Sequence, residues 1–217
     1  MIKTSDANST PIAVGSVLHS AARYDLLLWL CTLGRDRFFR ERVFRLARLE
    51  PSESVLDVGC GTGNLAIAAK RHVGLTGQVY GIDASAEMIA RADKKARKAG
   101  LEVVFKNAAA QELPFLDAQF DAVLSTRMLH HLPRKARQLC VCEMRRVVKP
   151  GGRVLAVDFG GATRDRRSLF AHFHRHGHVS LREIAGVLTD AGLQSVQSGA
   201  MGIGDLHFVL ASAPDSV

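Results

Sequence analysis

Cysteine is scarce in this chain of 217 residues: Cys31, Cys60, Cys140 and Cys142 are all it has. So few thiols in so long a chain argue against a disulfide scaffold and set the expectation of an intracellular, cytoplasmic protein. Long apolar runs are missing too. The longest near-candidate, Leu26–Leu33, falls far short of the roughly 20 residues that cross a bilayer, so no transmembrane segment is expected. The opening residues have no signal-peptide pattern, because Lys3 and Asp6 are followed by polar residues and not by an apolar core. There is no internal repeat and no low-complexity segment.

What is present describes a globular protein. Hydrophobic residues make up 47% and charged residues 23%, and the length suits one sizeable core. The expected layout is a flexible tail over residues 1–23 and one domain over 24–217, with residues 24–50 as a helical lid. Net charge is +8. Lys and Arg are spread over several helices and one loop, which reads as a solvated basic surface and not as a nucleic-acid face.

The chain is organised around Val55–Asn64, V-L-D-V-G-C-G-T-G-N. Val55, Leu56 and Val58 read as a buried strand. Gly59, Gly61 and Gly63 follow in a turn where backbone can take positive φ and lie close to a ligand. The helix Leu65–Arg71 comes next, so the turn ends at a helix N-terminus, as in nucleotide cradles. Two details narrow the ligand. The dinucleotide fingerprint G-x-G-x-x-G is replaced by G-x-G-x-G, with Asn64 in the place of the third glycine. Asp57 sits beside the turn, where a carboxylate repels pyrophosphate and attracts positive charge. Asp83 ends the next apolar strand, where an acidic side chain accepts hydrogen bonds from ribose hydroxyls. A ligand with ribose, adenine and a cationic amino-acid tail fits, namely S-adenosyl-L-methionine.

Further strands are expected at Ser54–Val58, Gln78–Asp83, Glu102–Phe105, Phe120–Ser125 and Arg153–Phe159, alternating with helices Ala86–Ala99 and Arg134–Val147. Ser85 and Gly100 bound the first of these helices. Such alternation implies a parallel sheet with helices on both faces. A capping box at Ser180 and Glu183 opens another helix to Ala191, followed by strands Gln194–Ser198 and Leu206–Ala211. Upstream, Asp36–Leu49 is amphipathic: Phe39, Val43, Leu46 and Ala47 recur at helical spacing. Tyr24–Leu33 reads equally as a core helix and as a lid, with membrane contact through Leu28, Trp29 and Leu30 as a third reading.

The ordered set D-V-G-C-G-T-G (Asp57–Gly63), G-I-D-A-S (Gly81–Ser85), E-L-P-F (Glu112–Phe115), F-D-A-V (Phe120–Val123), L-H-H-L (Leu129–Leu132) and V-V-K-P-G-G-R (Val147–Arg153) resembles the class I S-adenosylmethionine-dependent methyltransferases. Within that class it is most similar to the ubiquinone/menaquinone-biosynthesis type and its small-molecule relatives. The resemblance implies a Rossmann-like, doubly wound, seven-stranded and mostly parallel α/β sheet with an antiparallel last strand. It implies cofactor binding by Asp57, Gly59, Cys60, Gly61, Gly63, Asp83, Ala84, Met88, Ala109, Ala110, Gln111 and Thr126. His131 and Tyr24 are the candidates for catalysis, and His130 reads as a structural histidine bonded to backbone. One departure stands out: relatives commonly carry Asp or Asn where this chain has Ala109, which removes a hydrogen bond of about 0.5–1.5 kcal/mol to the adenine.

The implied reaction is methyl transfer by in-line displacement to a small-molecule or lipid-like acceptor. A nucleic-acid methyltransferase is an alternative resting on charge alone, since N-P-P-Y and a Pro-Cys pair are both missing. A non-catalytic binding protein is another. His172, His174, His176 and His178 fit a pocket edge or an exposed loop better than a metal site, since no Cys, Asp or Glu interleaves with them. No metal is expected.

Overall fold

The computed structural model describes residues 36–160 and 179–215. The expectations for the tail, for Tyr24 and its apolar segment, for Cys31 and for the His172–His178 cluster lie outside the described residues.

The elements run α1 (Asp36–Ala47), β1 (Ser54–Val58), α2 (Asn64–Val73), β2 (Gln78–Asp83), α3 (Ala86–Lys98), β3 (Val104–Asn107), β4 (Phe120–Thr126), a 3-10 turn (Leu129–His131), α4 (Arg134–Val147), β5 (Val148–Phe159), α5 (Leu181–Asp190), β6 (Gln194–Ala200) and β7 (Leu206–Ser212). The seven strands form one sheet in the order β3-β2-β1-β4-β5-β7-β6. Pairings from β3 across to β5 are parallel. Strand β7 runs antiparallel to both β5 and β6.

The sheet buries both faces, which is why its central strands are apolar throughout and do not alternate. Against one face pack Phe39, Val43, Phe44 and Ala47 of α1 and Leu65, Ala66, Ala69 and Val73 of α2. Against the other pack Cys140, Val141, Met144 and Val147 of α4 and Ile184, Val187 and Leu188 of α5. The strand order reverses at β1, between β2 and β4, so loops leaving the carboxyl ends of these strands open a crevice there.

Two expected strand boundaries move most, and one capping box is only half formed. Strand β3 starts and ends two residues later than expected, because its pairing with β2 runs from Tyr80↔Val104 to Asp83↔Asn107. Strand β5 begins at Val148 and not Arg153. Pro150-Gly151-Gly152 forms a bulge within the pairing, between Phe120↔Val148 and Ala122↔Arg153, with Gly151 at φ 69°. At α5, Ser180 Oγ accepts from the Glu183 N–H at 3.2 Å, whereas the Glu183 carboxylate pairs with Arg137 of α4.

Candidate active site at the carboxyl rim of the sheet

Strands β2, β1, β4 and β5 all end at one rim, and each brings a polar side chain to it. The glycine turn hangs from β2: the N–H groups of Gly59 and Cys60 both donate to the Ile82 carbonyl, at 2.9 and 2.8 Å. Gly59, Gly61 and Gly63 have φ of 77°, 53° and 76°, a region that side chains with a Cβ enter only at a cost. Space forbids a side chain as well. A Cβ on Gly63 would stand 2.7 Å from Phe105 Cζ and 2.8 Å from Ala92 Cβ, and one on Gly59 would collide with Met128. Gly63 therefore supplies the close helix packing that a third glycine gives in dinucleotide folds. Asn64, in that glycine's expected place, opens α2 and accepts from Lys95 at 2.9 Å.

Asp83 pins the turn. One carboxylate oxygen accepts from Gly61 N–H and the other from Ser85 N–H, both at 2.9 Å. Burial raises its pKa, and the two N–H donors pull it back. A carboxylate has about four acceptor positions, so about two remain beyond these bonds. Asp57 is different. It is 1% exposed, and neither oxygen has a hydrogen-bond partner among the described residues. Its pKa is raised to about 7, first by desolvation and then by the neighbouring Asp83 charge; Arg127 and the Ala66 N–H, the latter too poorly placed for a hydrogen bond, only partly oppose this. An orphaned buried carboxylate is costly, and its place behind the turn matches a site that holds a cationic ligand.

Of the remaining sites singled out by sequence, Cys60 is buried in the turn with its thiol pushed up by burial. Ala84 is exposed beside Asp83, and Met88 is buried, its N–H donating to the Ser85 cap at 3.4 Å. Ala109 and Ala110 are buried in the loop after β3, Gln111 is half-buried there, and Thr126 ends β4 half-buried. Asn107 closes this corner by donating from Nδ2 to the Asp83 carbonyl at 2.9 Å. The loop is held from α4: Glu143 accepts from Leu113 N–H at 2.8 Å, and Arg146 donates to the carbonyls of Leu113 and Phe115 at 3.0 and 2.9 Å.

Sequence reading passed over Arg127 and Met128. Arg127 follows β4 in a left-handed conformation, φ 56°, with its N–H on the Val157 carbonyl at 2.7 Å. Its guanidinium lies 4.9 Å from the Phe39 ring centre. Backbone strain of this kind gathers at functional sites, but it has no signature in the tripeptide Ser-Thr-Arg.

The two histidines separate. His130 Nδ1 lies 2.6 Å from Asp158 Oδ1, and its backbone N–H donates to Asp158 Oδ2 at 3.1 Å. The expected backbone partner for the His130 ring is thus a carboxylate. His131 lies alongside, with ring centres 3.9 Å apart. Among the described residues no cluster of His, Cys, Asp and Glu could hold a metal, and no helix is long and apolar enough to cross a membrane.

A family model described as a methyltransferase domain matches residues 55–152. The chain is 36% identical over 147 residues to a ubiquinone/menaquinone biosynthesis C-methyltransferase from Bordetella avium, covering 67% of this chain and 57% of that one. To its counterpart from Psychromonas ingrahamii it is 33% identical over 175 residues, covering 79% and 69%. The crystal structure of a SAM dependent methyltransferase from Aquifex aeolicus superposes with a TM-score of 0.73 at 26% identity, covering 90% of this chain and 99% of that one. The match thus spans little more than half of the Bordetella protein.

Proposed function

This chain belongs to the class I S-adenosylmethionine-dependent methyltransferases of the ubiquinone/menaquinone-biosynthesis type, and from that premise we propose that it transfers a methyl group to a small-molecule acceptor. The observation that carries the proposal is the carboxylate pair around the glycine turn. Asp83 is tied to Gly61 and Ser85 with acceptor positions to spare, and Asp57 is buried with no partner. When bound, S-adenosylmethionine supplies a methyl group already activated on a sulfonium. The chain's own work is then alignment and exclusion of water.

In this reading Asp83 takes the ribose hydroxyls, and Gly59, Cys60, Gly61 and Gly63 lay backbone along the amino-acid tail. Asp57 supplies negative potential behind them. Ala84 and Met88 flank the ribose and the base, and Ala109, Ala110 and Gln111 line the base. Thr126, at the end of β4, completes the cofactor site. The names of the relatives support a hydrophobic, quinone-like acceptor. In this reading His131 stands toward the acceptor, within a single domain over residues 24–217 working in the cytoplasm.

Calorimetric titration with S-adenosylhomocysteine, and separately with NAD, tests the cofactor assignment on wild type and Asp83→Ala. The expected result is tight binding of the first ligand, weakened at least tenfold by the substitution, and no binding of NAD. Absence of S-adenosylhomocysteine binding to the wild type overturns the proposal.

A further inference from the structure

Between the end of β4 and the end of β5 lies a pair that the cofactor site leaves unused. The 3-10 turn after β4 sets the His130 ring against Asp158, the penultimate residue of β5. Asp158 is 2% exposed. Its Oδ1 takes the His130 ring nitrogen at 2.6 Å and the Phe159 N–H at 2.9 Å, and its Oδ2 takes the His130 N–H at 3.1 Å. A carboxylate held by two N–H groups accepts and does not donate. His130 Nδ1 must therefore carry the ring proton, which leaves the lone pair of the neutral imidazole on Nε2. Nε2 has no hydrogen bond among the described residues, and the His130 side chain is 12% exposed.

The turn that presents this ring is itself clamped. Arg137, 5% exposed, donates to the carbonyls of Leu129 at 3.1 Å and Leu132 at 2.9 Å and pairs with Glu183. Phe159 closes one side of the ring at 5.3 Å, edge to face. Strands β1 and β5 flank β4, so Asp158 stands two strands, roughly 10 Å, from Asp57 at the ordinary strand spacing. Both carboxylates therefore stand at the same carboxyl rim of the sheet, on either side of the end of β4.

We propose that His130, oriented by Asp158, is the proton acceptor for a hydroxyl on the methyl acceptor. This rests on the methyltransferase reading above. The acceptor's O–H bond breaks, its electron pair stays on oxygen and spreads into the ring, and its proton goes to Nε2. The imidazolium then faces Asp158, which stabilises it. After transfer to oxygen the imidazolium releases its proton to solvent; after transfer to a ring carbon the C–H bond at that carbon breaks, its electron pair restores the ring and its proton leaves to solvent, while the same nitrogen returns its proton to the oxygen. Asp158 is a positioning residue. The other charged or titratable groups on the elements that hold this turn and Asp158 are His131, its ring centre 3.9 Å from that of His130, Arg137 with its partner Glu183 from α4 and α5, and His207 of β7. His207 is the register partner of Asp158 and sits with its Nδ1 3.2 Å from the Asp205 carbonyl.

The test compares wild type, His130→Gln and Asp158→Asn. First, S-adenosylhomocysteine binding is measured by calorimetry, and all three proteins are expected to agree within about threefold. Loss of binding in the wild type sinks the methyltransferase reading itself, and with it this proposal. Second, nitrogen-15 NMR of the free protein reads the His130 tautomer. Nδ1–H is expected in wild type and a mixture in Asp158→Asn; Nε2–H in wild type overturns the proposal whatever the activity. Third, turnover is followed with anaerobic 1,4-naphthohydroquinone, hydroquinone and catechol. His130→Gln is expected to lower kcat at least a hundredfold with KM changed far less, and to abolish the acid limb of the pH profile. Asp158→Asn is expected to lower kcat about tenfold. A His130→Gln enzyme within threefold of wild type, or a wild type that binds S-adenosylhomocysteine and methylates none of these acceptors, overturns the proposal.

Discussion

Replacing Asp57 with Asn separates the stability of this fold from its ligand binding. The folded carboxyl titrates at about 7 against an ordinary 3.8. The folded protein therefore holds this proton where the unfolded chain has released it, and stability falls as pH rises from about 4 to 7. At roughly 1.36 kcal/mol per decade the full penalty is about 4 kcal/mol. Only about 1.5 kcal/mol of it is felt at pH 5, and all of it above pH 8. Asparagine has no charge to bury, and its own unmet hydrogen bonds cost the same at every pH. The stability of Asp57→Asn relative to wild type should therefore improve by about 2–3 kcal/mol between pH 5 and pH 8. For a chain of this size that is about 5–10 °C in Tm. Thermal unfolding of the ligand-free proteins, followed by circular dichroism at both pH values, measures it. The same variant should bind S-adenosylhomocysteine at least tenfold more weakly at pH 8. A Tm difference that is flat with pH, or that shrinks toward pH 8, refutes the reasoning.

Other outcomes follow from the same rim. If the charged form of Asp57 is the binding form, wild-type affinity for S-adenosylhomocysteine should rise about tenfold from pH 6 to pH 8, as the competent fraction grows; calorimetry at the two values checks it. Gly63→Ala adds left-handed strain and a Cβ 2.7 Å from Phe105, and should lose about 2–5 kcal/mol in urea unfolding. Arg146→Met leaves the Leu113 and Phe115 carbonyls without their donor, and should lower stability by about 1–3 kcal/mol and loosen cofactor binding several-fold by calorimetry.

Much of the sheet was legible because β1 and β2 are apolar runs closed by turn residues, and because Ser85 announces α3 with a cap that the structure contains. The misplaced start of β5 has a physical cause. Pro-Gly-Gly reads as a turn, but the left-handed backbone at Gly151 lets the strand bulge and continue. Asp57 and Asp83 could be picked out since each stands at the end of an apolar strand. The burial that lifts the Asp57 pKa could not, because it is made by neighbouring strands and α2. The histidine pair was the hardest feature to assign. Sequence reading chose His131 for chemistry, yet which neighbour meets a carboxylate depends on the rotation of a three-residue turn and on Asp158, 28 positions away.

One helix touches both halves of the rim. Near its start, Arg137 of α4 grips the turn that carries His130; near its end, Arg146 grips the loop that follows the buried alanines. The two arginines are nine residues apart, about 13 Å along a helix at its ordinary rise, and Cys140, Val141 and Met144 between them are fully buried. The helix is a ruler clamped along its length. A rigid-body shift of α4 along the sheet carries both grips the same way, so the loop and the turn move together and their separation is conserved. A change in their spacing along the sheet requires the helix to bend or stretch, which its continuous backbone hydrogen bonds resist.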